Sequence, residues 1–308
     1  MTEIFLKTIN SQIKDGLYHG ASLAVYQQGA WQEYYIGTID GAKPVKPGLI
    51  YDLASVSKVV GTGTVCIFLL NKGSFKLDDA LQAYYPDFHD ASLSIRQLLT
   101  HTSGIDPYIP NRNQMKAQEL QEAVNRIALT ADKRFKYTDI NFLLLGFMLE
   151  KIYSQSLAHI FQKEVFSPFK MKQTSFGPVK NAVPTQKGVN DGQVHDPKAK
   201  ILGRHAGSAG LFSTLIDLEI FLEHYLQDDF AAELWHNYGS LEKPRSLAWN
   251  LEGDWLDHTG YTGPFIMVNR SGQQAAIFLT NRTYEGDARS LWKKERRKIK
   301  ESMISSFK

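Results

Sequence analysis

The hydrophobic positions of this chain change their spacing twice, and those changes divide it into three parts. In a segment that begins at Thr2, Ile4, Phe5, Ile9 and Ile13 recur at helical spacing. Ala21–Tyr26 and Trp31–Ile36 then read as two strands joined at Gln28-Gly29, a hairpin. Leu49–Ala54 is a strand-like approach to a helix that starts at Ser55 and runs to Lys72-Gly73, where Gly73 suits a C-cap. From about Leu77 to Lys243 the pattern becomes helical. Runs are expected at Ser94–Leu99, Gln114–Leu129, Asn141–Tyr153, Ser156–Val165 and Leu215–Gln227, separated by loops rich in Gly, Pro and Asp. The spacing of Phe142, Leu145, Met148, Leu149 and Ile152 marks one buried helix face. After Pro244 short strand-like runs return at Leu247–Trp249, Trp255-Leu256, Phe265–Val268 and Ala275–Leu279, and a last helix closes the chain.

Strands, then helices, then strands and a helix predict an α+β fold. Both ends would share one antiparallel sheet flanked by the N- and C-terminal helices, with an inserted, mostly helical domain beside it. The expected division is residues 1–76 and 244–308 for the sheet domain and 77–243 for the helical one, with a cleft at their seam. The chain shows no internal repeat, low-complexity tract or glycine-rich phosphate loop.

Composition narrows the picture. With 308 residues, 43% of them hydrophobic, the chain can bury one large core or two smaller ones. A net charge of +3 is too small and too dispersed to imply nucleic acid. The basic run Lys293–Lys300 is read as the wet face of the last helix, whose apolar face would be Leu291, Ile299, Met303, Ile304 and Phe307. One cysteine, Cys66, excludes an intramolecular disulfide and sits in an apolar run as a core thiol. No signal peptide is visible, and the longest apolar run, Phe142–Leu149, is too short for a transmembrane segment. The expectation is a cytoplasmic chain as written, or a cell-surface one if a leader has been removed.

The chemistry concentrates in three motifs. Ser55-Val56-Ser57-Lys58 places a hydroxyl and an amine one helical turn apart, on one face. A serine hydroxyl needs such a neighbour to become a nucleophile. Tyr137-Thr138-Asp139 and His258-Thr259-Gly260-Tyr261 follow in order. S-x-x-K, then a Y-x-N-like element, then K/H-T-G resembles the serine β-lactamase and penicillin-binding-protein superfamily, in its class C-like branch. The supporting stretches Leu98–Gly104 and Gly207–Thr214 extend the resemblance from about Ala21 to Arg282.

The resemblance implies an acyl-enzyme at Ser55, Lys58 beside it to stabilise or receive the serine proton, and Tyr137 as a second acid/base. It also implies an oxyanion hole from the Ser55 and Tyr261 backbone N–H groups, with Thr259 and Gly260 on the strand beside substrate. Two residues depart from the β-lactamase pattern. Asp139 stands where asparagine is usual and, ionised, can only accept hydrogen bonds; near Lys58 it would raise the amine's pKa. His258 stands where lysine is common, and its ordinary pKa of about 6.5 would make reading of a substrate carboxylate depend on pH.

No cofactor and no metal are expected. His195 and His205, with Asp191 or Asp196, match no zinc spacing and are read as lining or bracing the cleft. His101 is read as a structural turn residue at the seam, and Asp217 and Glu219 as caps or decoration of a surface helix. The expected function is a serine hydrolase acting on a small-molecule or peptide substrate: a D-alanyl peptidase, a muropeptide amidase or a carboxylesterase. A β-lactamase, or a catalytically silent module that binds peptidoglycan fragments, is the alternative.

Overall fold

A computed structural model describes residues 3–189 and 192–307. The first helix, α1 (Glu3–Lys14), leads into a hairpin of β1 (Gly20–Gln27) and β2 (Ala30–Gly37). Gln28 and Gly29 both have positive φ, 56° and 80°, as a two-residue turn of this hand requires. A short strand β3 (Tyr51–Asp52) passes through a 3-10 turn (Ala54–Val56) and a π-helical stretch (Lys58–Gly63) into α2 (Thr64–Asn71). The middle of the chain carries α3 (Ile95–Thr100), α4 (Ala117–Asn125), α5 (Ile140–Tyr153), α6 (Leu157–Phe161), α7 (Ser167–Phe169), β4 (Ser175–Phe176), α8 (Pro197–Leu202), β5 (Leu211–Ser213) and α9 (Leu215–Gln227). It ends with β6 (Asn250–Glu252), β7 (Trp255–Thr259), β8 (Phe265–Asn269), β9 (Gln274–Leu279) and α10 (Arg289–Ser306).

The main sheet is antiparallel, in the order β2-β1-β9-β8-β7-β6, so both chain ends meet at the β1–β9 pair. Its central strands are apolar along their whole length because both faces are covered. Phe265, Met267, Ala276 and Phe278 face the layer that holds Phe5, Ile9, Trp292 and Met303 of α1 and α10. The alternate residues Ile266, Val268, Ile277 and Leu279 join the larger core of α2, α5 and α9. The α+β architecture, an antiparallel sheet flanked by the terminal helices, is the one expected, and α2, α5 and α9 cover its other face. A second small sheet, β3-β5-β4, ties the approach to Ser55 to the 211–213 segment.

Several local expectations are corrected. Leu247–Trp249 is a buried irregular turn rather than a strand: Ala248 has φ 70° and its N–H donates to Leu99 O at 3.0 Å. The Gln114–Leu129 run is helical only over Ala117–Asn125, because Leu129 instead bridges Ile105. Ile4, Ile152 and Leu291 turn to solvent, and Trp292 takes the core position on α10. The wet face of α10 is as expected, with Lys293, Lys294, Arg297 and Lys298 exposed. Asp217 and Glu219 are buried, not surface decoration. Asp217 accepts from the backbone N–H of Gln173 at 2.7 Å and from Thr174 Oγ1 at 2.7 Å, anchoring the loop before β4. Helix α9 lies against β1, β8 and β9. Thr2, the first residue of the expected first helix, lies outside the described residues. Cys66 is a buried free thiol. Among the described residues one run, Ala54–Asn71, is long and apolar enough to cross a membrane, and 78% of it is buried inside the protein.

Two glycines set the spacing around the Ser55 helix. A Cβ on Gly207 would lie 2.2 Å from Phe142 O and 2.9 Å from Gly146 Cα, so α5 and the 207–210 loop touch backbone to backbone. That loop is tied to the Ser55 helix by Thr62 Oγ1 donating to Gly207 O at 2.8 Å and Leu211 N donating to Ser57 Oγ at 3.1 Å. Gly207→Ala should therefore cost about 1–3 kcal/mol in urea unfolding, the range of overpacking. Unchanged stability would show that this contact yields without strain.

Candidate active site

Ser55 is half-buried in the 3-10 turn that follows β3. Its predecessor Ala54 has φ 46°, left-handed backbone that an alanine adopts only at a cost. The conformation is held by Asp52, which was not singled out from the sequence. Asp52 Oδ1 accepts from Ala54 N at 2.7 Å, its Oδ2 accepts from His195 N at 2.8 Å, and its carbonyl accepts from Thr262 Oγ1 at 3.1 Å. Burial pushes its carboxyl up to about 6, against the pull of the two N–H donors.

Lys58 is fully buried and spends all three ammonium protons. Its Nζ donates to Ser55 Oγ at 3.0 Å, to Asp139 Oδ1 at 2.7 Å and to Ser208 O at 2.7 Å. Burial alone would lower its pKa, but the charge of Asp139 and the neighbouring Tyr137 outweigh it and the net shift is upward. To receive the serine proton an amine needs its pKa held down, and here it is raised, in the direction expected of Asp139. Asp139 stands directly before α5 and also accepts from Lys198 Nζ, through Oδ2, at 3.0 Å. Burial opposes its charge, yet the two ammoniums hold the carboxyl well below the usual carboxylate range.

Tyr137, half-exposed, lies beside this trio, with Lys58 Nζ 5.2 Å from its ring centroid. His101 braces it from behind at 4.4 Å between ring centroids. His101 caps α3 in the left-handed region (φ 57°), and its Nδ1 pairs with the Asn141 side-chain amide at 2.8 Å. It is the structural turn residue expected. A buried guanidinium, Arg245, lies over the Phe135 ring at 5.3 Å. Burial lowers its pKa to about 10, partly offset by Tyr137 and Asp257.

The third motif arrives on β7. A Cβ on Gly260 would lie 2.6 Å from Leu53 O, so the 259–263 segment rests directly on the backbone that leads into Ser55. Thr259 is half-buried at the end of the strand. The Tyr261 side chain turns outward: its hydroxyl donates to Asp287, and Arg282 lies over its ring at 4.8 Å. His195 stands 5.6 Å from the same ring, between centroids, and so lines this edge. His205 does not; it pairs with Glu150, in the last turn of α5, at 2.7 Å. Asp196 caps α8 through Ala199 N at 2.9 Å, and Asp191 lies outside the described residues. Among the described residues no group of three or more His, Cys, Asp or Glu side chains is placed to hold a metal.

His258 corrects the expectation of a pH-dependent reader of charge. It is 2% exposed, and burial, followed by the charges of Lys58, Arg245 and Arg296, drives its pKa well below the ordinary value. The imidazole is neutral throughout the neutral range.

With this geometry in view, comparison with known proteins is direct. Residues 6–299 match the Beta-lactamase family model, and the chain belongs to that family. It is 27% identical, over 89% of its length and 81% of the relative's, to a putative D-alanyl-D-alanine carboxypeptidase of Escherichia coli O157:H7. In fold it resembles EstCE1, a hydrolase with promiscuous acyltransferase activity, at TM-score 0.81 and 16% identity over 98% of each chain. It also resembles a β-lactamase/D-alanine carboxypeptidase from Pseudomonas syringae, at TM-score 0.80 and 17% identity over 99% of this chain and 98% of that one. The chain is a serine hydrolase of the β-lactamase-related family.

Two outcomes follow. The KM of a substrate carrying a free carboxylate should not follow a His258 titration between about pH 6 and 8, and the His258 ring signals in NMR should stay those of the neutral form. Titration at the ordinary histidine value would contradict the burial argument. His101 and His258 both have folded pKa values below their unfolded ones. The unfolded chain therefore binds more protons once the pH falls below about 6.5, and stability present above that value is lost below it. Urea unfolding should show a decline approaching about 1.4 kcal/mol per pH unit for each histidine. His258→Gln should reduce that slope; a slope that does not change would remove His258 from the account.

Proposed function

We propose that Ser55 is the nucleophile of an acyl-enzyme mechanism acting on D-alanyl-type peptides, with simple esters as a second substrate class. The observation that carries this is the 3.0 Å hydrogen bond from the buried Lys58 ammonium to Ser55 Oγ, at the point where all three motif segments meet. In this reading Ser55 Oγ attacks the substrate carbonyl carbon. Lys58, already charged, lends a proton donor to Oγ and stabilises its developing negative charge. A lysine in that state cannot accept the serine proton, so Tyr137 is the group left to relay it: its hydroxyl gives its own proton to the leaving group and takes the serine proton in exchange. The backbone N–H groups of Ser55 and Tyr261 receive the oxyanion, and Gly260 lets the Tyr261 backbone lie close enough.

The peptidase reading draws on the relatives named for D-alanyl-D-alanine carboxypeptidase activity. The ester reading rests on His258, whose neutral ring offers no permanent charge to a substrate carboxylate. Asp139, with both oxygens committed to lysines, gives no donor to a substrate amide, so β-lactam turnover should be poor.

Ser55→Ala should abolish fluorophosphonate labelling and lower turnover about 10³-fold or more on aryl esters and D-Ala-D-Ala peptides. Labelling retained on another serine would remove Ser55 from the mechanism. Asp139→Asn leaves two buried ammoniums without their shared anion, and should destabilise the fold by about 3–5 kcal/mol in chemical unfolding. It should also shift the pH–rate profile toward lower pH, because Lys58 loses the charge that holds its proton. A profile that does not move would show that Asp139 does not set the state of Lys58.

A further inference from the structure

The two backbone N–H groups assigned to the oxyanion belong to Ser55 and Tyr261, which lie on different segments of the chain. Both must reach one oxygen at about 2.7–3.1 Å, so their separation has to be fixed before substrate arrives. A single residue is bonded to the neighbour of each donor. Asp52 Oδ1 accepts from the N–H of Ala54, the residue before Ser55, at 2.7 Å. The Asp52 carbonyl accepts from Oγ1 of Thr262, the residue after Tyr261, at 3.1 Å.

Neither side of this link holds itself. Ala54 has φ 46°, a conformation that persists in a residue other than glycine only where its surroundings impose it. The Asp52 carboxylate can impose it because its second oxygen accepts from His195 N at 2.8 Å, which fixes the direction of the first. On the other side, the Tyr261 side chain turns outward and does not anchor its own backbone inward. Arg282 Nε holds the Tyr261 carbonyl at 2.9 Å, and Thr262 ties the next residue to Asp52. Asp52 and Thr262 are both buried, so water does not replace either bond when it is removed.

We propose that Asp52 and Thr262 are positioning residues that set the separation of the two oxyanion donors, the Ser55 and Tyr261 N–H groups, without touching substrate themselves. The carboxylate of Asp52 holds the Ser55 side, and its carbonyl, through the Thr262 hydroxyl, holds the Tyr261 side. The inference rests on acylation at Ser55, and the experiment separates the two.

The test uses phenylboronic acid, whose boron takes up a serine oxygen to give a tetrahedral adduct with one of its own oxygens in the oxyanion position. Its Ki is measured on the full chain beside kcat/KM for an aryl acetate, the latter corrected for the fraction of protein that a fluorophosphonate labels at Ser55. Thr262→Val keeps the branched shape and removes the hydroxyl. It should lower kcat/KM and raise Ki by a common factor of about 10², the scale of a misplacement near 1 Å. Thr262→Ser keeps the hydroxyl and should restore both. Asp52→Ala removes the acceptor at Ala54 N, should move both quantities in the same direction, and serves if the valine variant does not fold. A merely structural role would lower the labelled fraction and leave Ki where it was. An unchanged Ki in either folded variant, or a serine variant as impaired as the valine one, would overturn the inference. Failure of wild-type labelling at Ser55 would instead overturn the acylation reading.

Discussion

A lysine ammonium with no access to water must find three acceptors, and at Lys58 that demand organises the site. One acceptor is the serine hydroxyl one turn back, one is a carboxylate from the start of α5, and one is the carbonyl of Ser208. Each comes from a different stretch of chain, so the charge cannot be buried unless those stretches are brought together. Paired and fully hydrogen-bonded, a buried charge is tolerable; losing one partner is not. The backbone contact of Gly207 with Gly146 and Phe142 lies one residue before the Ser208 carbonyl that takes the third proton.

The surrounding electrostatics then fall into place. Lys58, Arg245 and Arg296 are the cations that act on His258, and Asp139 is the anion between Lys58 and Lys198. A neutral histidine on β7 is what such surroundings select, because a further buried proton would meet like charge and no water. His258 contributes its shape and its place on the strand rather than a charge. Asp139 in turn holds Lys58 in its donor form, and the role proposed for Tyr137 depends on that state.

The fold was largely legible because its signals are local. The Gln28-Gly29 turn, the helix at Leu215–Gln227 and the apolar strands at Phe265–Val268 and Ala275–Leu279 are each stated by a short run of residues. The three motifs were legible for the same reason, as was the effect of Asp139 on Lys58. What sequence reading missed depends on contacts across many residues. Asp52 looked like one polar position in a strand, and its role in holding the Ser55 turn needs His195 and Thr262 from distant segments. Lys198 follows a helix-capping aspartate and carries no motif. Leu247–Trp249 has the composition of a strand, but its backbone bonds to Leu99 and to Ser246 instead of a ladder. His258 was read from its ordinary titration range, and burial, invisible in one sequence, displaced it.

The central claim is that Lys58 rests as a charged donor to Ser55 because Asp139 holds its proton. Direct observation of the Lys58 Nζ by NMR in the resting protein tests it. The account predicts an ammonium signal that persists as pH rises past the ordinary lysine value of about 10.4. A Lys58 amine that loses its proton below that value, near neutral pH, would contradict it and return the base role to the lysine.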